Sequence, residues 1–327
     1  MTPETNRLIT TRDRQINVVF KSTSPEPLSV QEKVDSKDVM QAMEAFSDIY
    51  KELDKMIGLD EIKELVFQIY AILQIKQFRS QEGLQVSSNV YHMIFKGNPG
   101  TGKTSVARII GKLFRSMGLL SKGHLIEVER ADLVGEYIGH TALKTREMVK
   151  KALGGILFID EAYSLARGGD KDFGKESIDC LVKSMEDHKN DFILILAGYP
   201  KEIEDFLKTN PGLPSRFPIQ VNFPDYTIDQ LIEIAKQMAA EREYVILPEA
   251  INKIKNHLMH EKLLNLNFSN ARHIRNLIEK AIRFQAVRLV RRARKLTKQD
   301  LVNLTHEDFY INGKAEEESS CFNLKPS

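Results

Sequence analysis

The segment GNPGTGKT, Gly97–Thr104, decides the fold of this chain. It follows the apolar segment His92–Lys96, which is typical of a buried strand, and it opens Lys103–Ser116, which is typical of a helix. A complete G-x-x-x-x-G-K-T between a strand and a helix is a phosphate-binding loop, because its glycines let backbone N–H groups turn toward phosphate oxygens. In such a loop Lys103 reaches the β- and γ-phosphates and the Thr104 hydroxyl holds Mg²⁺.

A second motif lies downstream, where the four apolar residues Ile156–Ile159 end in Asp160 and Glu161. A buried strand that delivers carboxylates at its C-terminal end places them beside a phosphate-binding loop. We predict that Asp160 binds the metal and that Glu161 polarises the attacking water. Alone, the segment would be read as a core strand ending in solvated acids, and the upstream loop is what favours the catalytic interpretation.

Strand-like and helix-like segments alternate around these motifs. Strands that are apolar throughout and separated by helices indicate a parallel sheet covered on both faces, so the predicted fold class is α/β. Besides His92–Lys96, the predicted strands are Leu125–Arg130, Ile156–Asp160, Phe192–Ala197 and Ile219–Phe223. Besides Lys103–Ser116, the predicted helices are Ala142–Leu153 and Lys175–Asp187.

The chain is expected to divide into four parts. The first is a polar N-terminal extension over 1–45, partly disordered. The second is the nucleotide-binding domain over 46–224, which begins with two helices broken near Gly58. A small helical domain follows over 225–312, with a capping box predicted at Thr227 and a first-turn proline at Pro248, and no further strand is expected there. Residues 313–327 are predicted to be a disordered tail.

Composition excludes several classes of protein. Hydrophobic residues make up 42% and charged residues 28%, as in soluble globular proteins. The net charge of +2 points to no polyanionic partner. The two cysteines form no C-x-x-C, and no apolar run approaches the roughly 20 residues of a membrane helix. We therefore expect a cytoplasmic protein with no membrane partner.

Two weaker motifs point elsewhere. Thr297–Asp300 reads T-K-x-D, which formally resembles a guanine-reading motif, but no strand leads into it and we attribute it to chance. The basic cluster Arg291–Lys295 could contact nucleic acid, although cations also suit helix C-termini and no aromatic residues interleave with it. Nucleic acid is therefore not expected as the partner.

Taken together, GNPGTGKT and LFIDEA, followed by a strand, an arginine-bearing loop and a helical domain, resemble the AAA+ ATPases. KGHLIEVERADLVGEYIGHTALKTRE, GGILFIDEAYSLARGGDKDFGKE and FILILAGYPKEIEDFLKTNPGLPSRF are similar to the stage V sporulation protein K and red-type Rubisco activase (CbbX) group, and nearest to its sporulation branch. The resemblance covers Met56 to Asn312. It implies a P-loop AAA+ domain with a C-terminal α-helical lid.

The resemblance also implies roles at individual positions. Arg216 matches the arginine finger donated to the ATP of a neighbouring subunit, and Arg272 matches the lid arginine of sensor 2, with Arg275 as a competitor. Most AAA+ proteins end the sensor 1 strand in Asn or Thr, whereas Ala197–Tyr199 occupies that site here. The residues implied to bind nucleotide are Gly58, Gly97, Asn98, Pro99, Gly100, Thr101, Gly102, Lys103, Thr104, Ser105 and Arg272, and those implied in catalysis are Lys103, Glu161 and Arg216.

Tyr137 and Ile138, between Gly135 and Gly139, match the first pore loop, which grips an extended chain. The glycines are expected to keep this loop mobile. The function implied is a ring-forming ATPase, a hexamer, that uses ATP and Mg²⁺ to remodel or thread a protein client, in sporulation by resemblance. Two alternatives stay open: an AAA+ ATPase acting on DNA, and a nucleotide-dependent switch that does not thread.

Overall fold

The computed structural model of the protein describes residues 46–87, 89–137, 139–167, 173–189, 191–209, 212–265, 268–292 and 295–310. The predicted N-terminal extension over 1–45 and tail over 313–327 lie outside these ranges. No helix within the ranges has the length and apolar character needed to cross a membrane.

Strands and helices alternate through the nucleotide-binding part of the chain. The strands described there are β1 (Met93–Gly97), β2 (Leu125–Val128), β3 (Ile156–Ile159), β4 (Ile193–Gly198) and β5 (Ile219–Phe223). The helices are α1, described over 46–54, α2 (Asp60–Gln81), α3 (Lys103–Ser116), α4 (Arg130–Leu133), α5 (His140–Ala152), α6 (Gly174–Asp187), α7 (Pro200–Lys208) and α8 (Leu213–Arg216), with a 3₁₀ helix at Ala162–Ala166.

The five strands form one parallel sheet in the order β2-β3-β4-β1-β5. The chain leaves β1 for the far edge, returns through β3 and β4, and then passes to β5 on the other side of β1. Because every strand is parallel, the loops after β1, β3, β4 and β5 meet at one edge, and this reversal in strand order is where α/β folds bind ligands. The predicted α/β class is confirmed.

Both faces of the sheet are buried at its central strands β1, β3 and β4, as their apolar composition requires. In β1, Met93 and Phe95 pack with α2 and α3, whereas Ile94 faces the opposite core formed with α5, α6 and α7. The core on the Phe95 side continues into the C-terminal domain, where it includes Leu231 and Ile274. This shared core is what holds the C-terminal domain against the sheet.

The C-terminal domain is helical with one small exception. It contains α9 (Ile228–Ala240), α10 (Pro248–Leu264), α11 (Asn270–Arg291), α12 (Lys298–Val302), a 3₁₀ helix at His306–Asp308, and two short strands, β6 (Val245–Ile246) and β7 (Asn303–Leu304), paired in parallel. The expectation of no strand after 225 is therefore wrong, because a two-residue strand is too short to produce a sequence period. The capping box at Thr227 is present as predicted, with Thr227 Oγ1 accepting the Gln230 N–H.

Other boundaries differ for identifiable reasons. The strand predicted to extend to Arg130 ends at Val128, because Glu129 and Asp132 form a capping box that starts α4. The T-K-x-D segment is also a capping box, in which Thr297 and Asp300 satisfy each other's backbone N–H groups at the start of α12. Its resemblance to a guanine-reading motif was rightly attributed to chance.

One buried side chain gives the fold a pH dependence. His92 is 2% exposed, its Nδ1 accepts the Leu194 N–H at 2.9 Å, and its Nε2 has no hydrogen-bond partner among the described residues. Burial lowers the pKa of His92 to about 4 from an ordinary value of 6.5. As the pH falls, His92 is therefore protonated in the unfolded chain at a higher pH than in the folded chain.

We expect the free energy of unfolding to decrease as the pH falls from 6.5 to about 4. Protonation of His92 accounts for at most about 3 kcal/mol of this decrease. Burial also lowers the pKa of His257 and His273 in the C-terminal domain, so they contribute with the same sign. Urea unfolding of the wild type and of His92→Asn, which keeps an acceptor but does not titrate, measures the effect. The variant should lose less free energy of unfolding over this interval, and equal losses would contradict the assignment.

Candidate functional site

The loop Gly97–Thr104 joins β1 to α3 at the sheet edge where the strand order reverses. Gly100 and Gly102 have φ angles of +73° and +100°, which favour glycine because a side chain would be strained there. Lys103 is 9% exposed, and its Nζ donates to the carbonyl oxygens of Gly97 and Asn98, both at 2.8 Å. The loop is thus wrapped around its own lysine.

The electrostatic environment of Lys103 favours binding of an anion. Burial lowers the pKa of Lys103, and the nearby Arg272 lowers it further, whereas the carboxylates of Asp160, Asp225 and Glu161 raise it. A cation held out of water and beside another cation gains most from the approach of negative charge. This environment favours a phosphate group over a neutral ligand.

Asp160 and Glu161 follow β3 directly and border the same cavity as Lys103 and Thr104. Asp160 Oδ1 accepts the Glu161 N–H at 3.0 Å, and Glu161 has a left-handed backbone with φ of 48°. Such a conformation is uncommon for a residue with a side chain and recurs at active sites and ligand-binding turns. The phosphate-binding loop and the two acidic residues predicted from the sequence therefore border the same cavity.

The donor set fits Mg²⁺ accompanied by phosphate. The Thr104 hydroxyl and the Asp160 carboxylate both border the cavity, and Thr104 Oγ1 donates to Glu127 Oε1 at 3.3 Å. Within the described ranges, no group of three or more His, Cys, Asp or Glu side chains could hold a metal ion by itself. Mg²⁺ typically uses one or two protein oxygens and completes its shell with phosphate and water. A metal would therefore enter together with the nucleotide.

The cavity has a volume of about 460 Å³ and a mixed lining. The loop, the two acids and Arg272 are among its polar lining residues, while Met56, Ile57, Ile234 and Met238 are among its apolar ones. Gly58 is not among the described lining residues, although its neighbour Ile57 is. A Cβ at Gly58 would lie 2.7 Å from Gln230 Nε2, so this glycine allows the approach of α9. A lining with both polar and apolar side chains suits the phosphates and the base of a nucleotide.

An interaction that sequence reasoning missed joins the phosphate loop to the C-terminal domain. Asp225, just after β5, accepts two hydrogen bonds of 3.0 Å from Asn98 Nδ2 and one of 2.8 Å from Asn270 Nδ2. Asn270 is fully buried at the start of α11, where its Oδ1 accepts the Tyr226 N–H at 3.0 Å. A Cβ at Gly100 would lie 2.2 Å from Ser269 O, so the loop and α11 are in backbone contact.

The consequence is that Arg272, two residues after Asn270, reaches the cavity from the first turn of α11. Arg275 also lines it, so the structure brings both candidate sensor arginines to the site. Asp225 carried a usable signal, since it is a carboxylate two residues after a strand, at the sheet edge that bears the loop. Asn270 carried none, because its partner lies 45 residues away.

Arg216 is placed differently from the other predicted residues. It ends α8, where its Nη1 donates to Gly212 O at 2.8 Å and its Nη2 pairs with the Glu186 carboxylate. In the described part of the chain it is not among the residues lining the cavity. Arg216 therefore lies outside the described lining of the cavity that holds the other predicted residues.

The predicted pore-loop residues are only partly described. Tyr137 is 66% exposed and contacts the His140 ring edge-on, at 5.5 Å between centroids, whereas Ile138 lies outside the described residues. Gly139 has φ of +83° and open space around it. Gly135 has another reason to be glycine, since a Cβ there would lie 2.5 Å from the His140 Cβ. The basic cluster at 291–295 is described in part, and its Arg292 pairs with Glu307 at 3.4 Å.

Comparison with known proteins agrees with this arrangement. The model of the ATPase family associated with various cellular activities (AAA) matches residues 93–225, and that of the AAA lid domain matches residues 227–319. Stage V sporulation protein K of Bacillus subtilis (strain 168) is 53% identical over 307 residues, 92% of this chain and 95% of that protein.

More distant relatives share most of the chain. A chloroplastic ribulose bisphosphate carboxylase/oxygenase activase of Cyanidioschyzon merolae (strain NIES-3377 / 10D) is 43% identical over 82% of this chain and 91% of its own. Protein CfxQ of Xanthobacter flavus is 45% identical over 73% and 75%. The crystal structure of the FIGL-1 AAA domain in complex with ADP shares the fold, with a TM-score of 0.52, 17% identity, and coverage of 83% and 84%.

The fold and the site define a P-loop nucleotide-binding protein with a helical lid. The chain belongs to the AAA+ family of ATPases, and to the part of it that contains stage V sporulation protein K and the Rubisco activase relatives. It is an enzyme that hydrolyses ATP. The resemblance noted from the motifs is confirmed, and we refer to the C-terminal domain below as the lid.

Proposed function

We propose that this ATPase assembles into a ring, a hexamer, and uses ATP hydrolysis to remodel or partially thread a protein client. The observation that carries the proposal is the position of Arg216, which ends α8 away from the cavity of its own chain. A neighbouring subunit that presented Arg216 would complete the charge around the γ-phosphate. Head-to-tail contacts of this kind form a ring when the rotation between neighbouring subunits closes.

Within one subunit the roles divide by position. Lys103 and the loop amides bind the β- and γ-phosphates, and Arg272 reads the γ-phosphate from the lid. Thr104 and Asp160 would hold Mg²⁺, which supplies charge neutralisation on the phosphates when bound. Glu161 takes a proton from the attacking water. The hydrogen bonds of Asp225 to Asn98 and Asn270 couple the phosphate loop to the lid angle.

The client-binding role rests on Tyr137. An exposed tyrosine beside an open, left-handed glycine is poorly explained as a core residue, and it suits a contact surface. The names of the relatives support a protein client and a part in sporulation, since one is a stage V sporulation protein and another a Rubisco activase. The low cysteine count fits action in the cytoplasm.

We expect Tyr137→Ala to abolish the cellular function while ATP turnover stays within about twofold of wild type, because the side chain is exposed and outside the nucleotide cavity. The measurement pairs ATP turnover of the purified variant with its ability to replace the wild-type copy in the host. Tyr137→Phe, which keeps the ring, is the matched control and should retain function.

The same pair of variants separates the alternatives. A switch that does not thread would keep its cellular function in Tyr137→Ala, and this result would contradict the threading proposal. For an ATPase that acts on DNA, single-stranded DNA would stimulate ATP turnover. We expect no stimulation, because no aromatic residues interleave with the basic cluster at 291–295.

A further inference from the structure

Two histidines of the lid face each other across neighbouring helices. His257 lies on α10 and His273 lies in the first turn of α11, and their Nε2 atoms are 3.2 Å apart. The two rings are tilted by 30°, with 5.3 Å between their centroids. In a hydrogen bond between them, one Nε2 carries the hydrogen and the other accepts it. If both rings carry their hydrogen on Nδ1, two nitrogen lone pairs face each other, and a cation between them satisfies both.

The packing of the lid holds both rings in place. His257 directly precedes Leu258 and His273 directly precedes Ile274, and these two neighbours are fully buried in the core. The buried Phe268 ring packs beside His273, at 5.1 Å between centroids. Side chains held in this way lose little freedom when they bind an ion, so the pair is preorganised.

The separation of the two nitrogens matches a metal site. A tetrahedral Zn²⁺ with Zn–N bonds of about 2.0–2.1 Å places two imidazole nitrogens about 3.3 Å apart. The distance of 3.2 Å between the two Nε2 atoms agrees with this value. Imidazole nitrogen suits Zn²⁺, Cu²⁺ and Ni²⁺, whereas Mg²⁺ prefers oxygen ligands. The histidine pair therefore differs in chemistry from the groups that border the nucleotide cavity.

The electrostatic environment favours the form of histidine that binds metal. Burial lowers the pKa of His257, and the neighbouring His273 lowers it further. Burial also lowers the pKa of His273, whereas the carboxylate of Glu261 acts in the opposite direction on both rings. Neutral imidazole is the form that binds metal, so protons compete little near neutral pH. Glu261 lies one turn after His257 on α10, and its negative charge would offset part of the charge of a bound cation.

We propose that His257 and His273 form a binding site for a divalent transition metal of the zinc class, which ties the first turn of α11 to α10. In the part of the chain that the structure describes, no third His, Cys, Asp or Glu completes the group, so water fills the other positions. Structural zinc sites use four protein ligands, and a site with two is reversible by comparison. Because Arg272 directly precedes His273, the metal would brace the end of α11 that borders the nucleotide cavity.

The test is calorimetric titration of ZnCl₂ into the untagged, nucleotide-free chain after treatment with a chelator. The wild type should bind one Zn²⁺ per chain. His257→Gln and His273→Gln each keep an amide that can hydrogen-bond but is a poor zinc ligand. Each should weaken zinc binding by at least about tenfold, since even the loss of a partner behind a metal ligand has an effect of that size. His306→Gln removes an exposed histidine of the lid that pairs with Glu249, and this control should bind zinc as the wild type does.

Thermal unfolding gives a second, independent measurement. Zinc should raise the melting temperature of the wild type and of His306→Gln, because a ligand that binds only the folded chain stabilises it. It should leave His257→Gln and His273→Gln unchanged, and their melting temperatures without zinc show whether the lid has stayed folded. Equal zinc binding in all four proteins would reveal an adventitious ion only. A wild type that binds no zinc would leave the pair as a simple hydrogen bond, and either result would overturn the inference.

Discussion

Replacing Arg216 by alanine should lower ATP turnover by roughly 10³-fold while ATP binding is retained, because a guanidinium supplied across an interface neutralises charge that develops on the γ-phosphate. In the structure Arg216 pairs with Glu186 and Gly212 O, outside the cavity of its own chain. An exposed ion pair of this kind costs little to break when a ring forms. Lys208→Ala, which removes an exposed cation on α7, is the matched control and should keep full turnover.

Mixing two inactive variants tests whether Arg216 acts in trans. Arg216→Ala subunits keep Glu161 but donate no guanidinium, and Glu161→Gln subunits do the reverse. In randomly mixed rings about one interface in four joins an intact site to an intact finger, so about a quarter of the turnover should return. No recovery on mixing, with mixed assembly demonstrated, would contradict a finger donated between subunits.

Glu161→Gln should lower turnover by about 10²- to 10⁴-fold, the usual contribution of a general base, without loss of ATP binding. The amide preserves the size of the side chain but cannot take a proton from water. Because ATP then persists at the site, any nucleotide-dependent assembly is held in place. Turnover and bound nucleotide are measured directly, and light scattering with and without Mg·ATP should show a shift from small species to about six subunits.

Lys103→Ala is the control for that assembly, since it removes the buried ammonium that we propose binds the phosphates, and this variant should stay small in both conditions. A Glu161→Gln monomer under both conditions, with ATP shown to be bound, would rule out the ring as proposed. Wild-type turnover in Glu161→Gln would mean that another group activates the water.

Much of the fold and of the nucleotide site could be predicted from short continuous segments of the sequence. The apolar strands and the loop Gly97–Thr104 predicted the parallel sheet and its nucleotide site, because the backbone geometry of a phosphate loop is set within eight residues. Asp160 and Glu161 could be predicted from equally local information, since they directly follow a strand whose apolar composition indicates that it is buried. The two-residue strands β6 and β7 were missed, because nothing in so short a segment distinguishes a strand from a loop.

The sequence by itself therefore determined the class of fold, the nucleotide site and the two acids beside the phosphate-binding loop. All of these depend on residues that are neighbours in the chain. The tertiary structure decided which groups act on them from a distance. Asp225 and Asn270, for example, are 45 residues apart in the chain and meet only because the start of α11 packs against the phosphate-binding loop. Such pairs leave no periodic trace in the sequence, since packing of the sheet and the lid, rather than local geometry, brings them together.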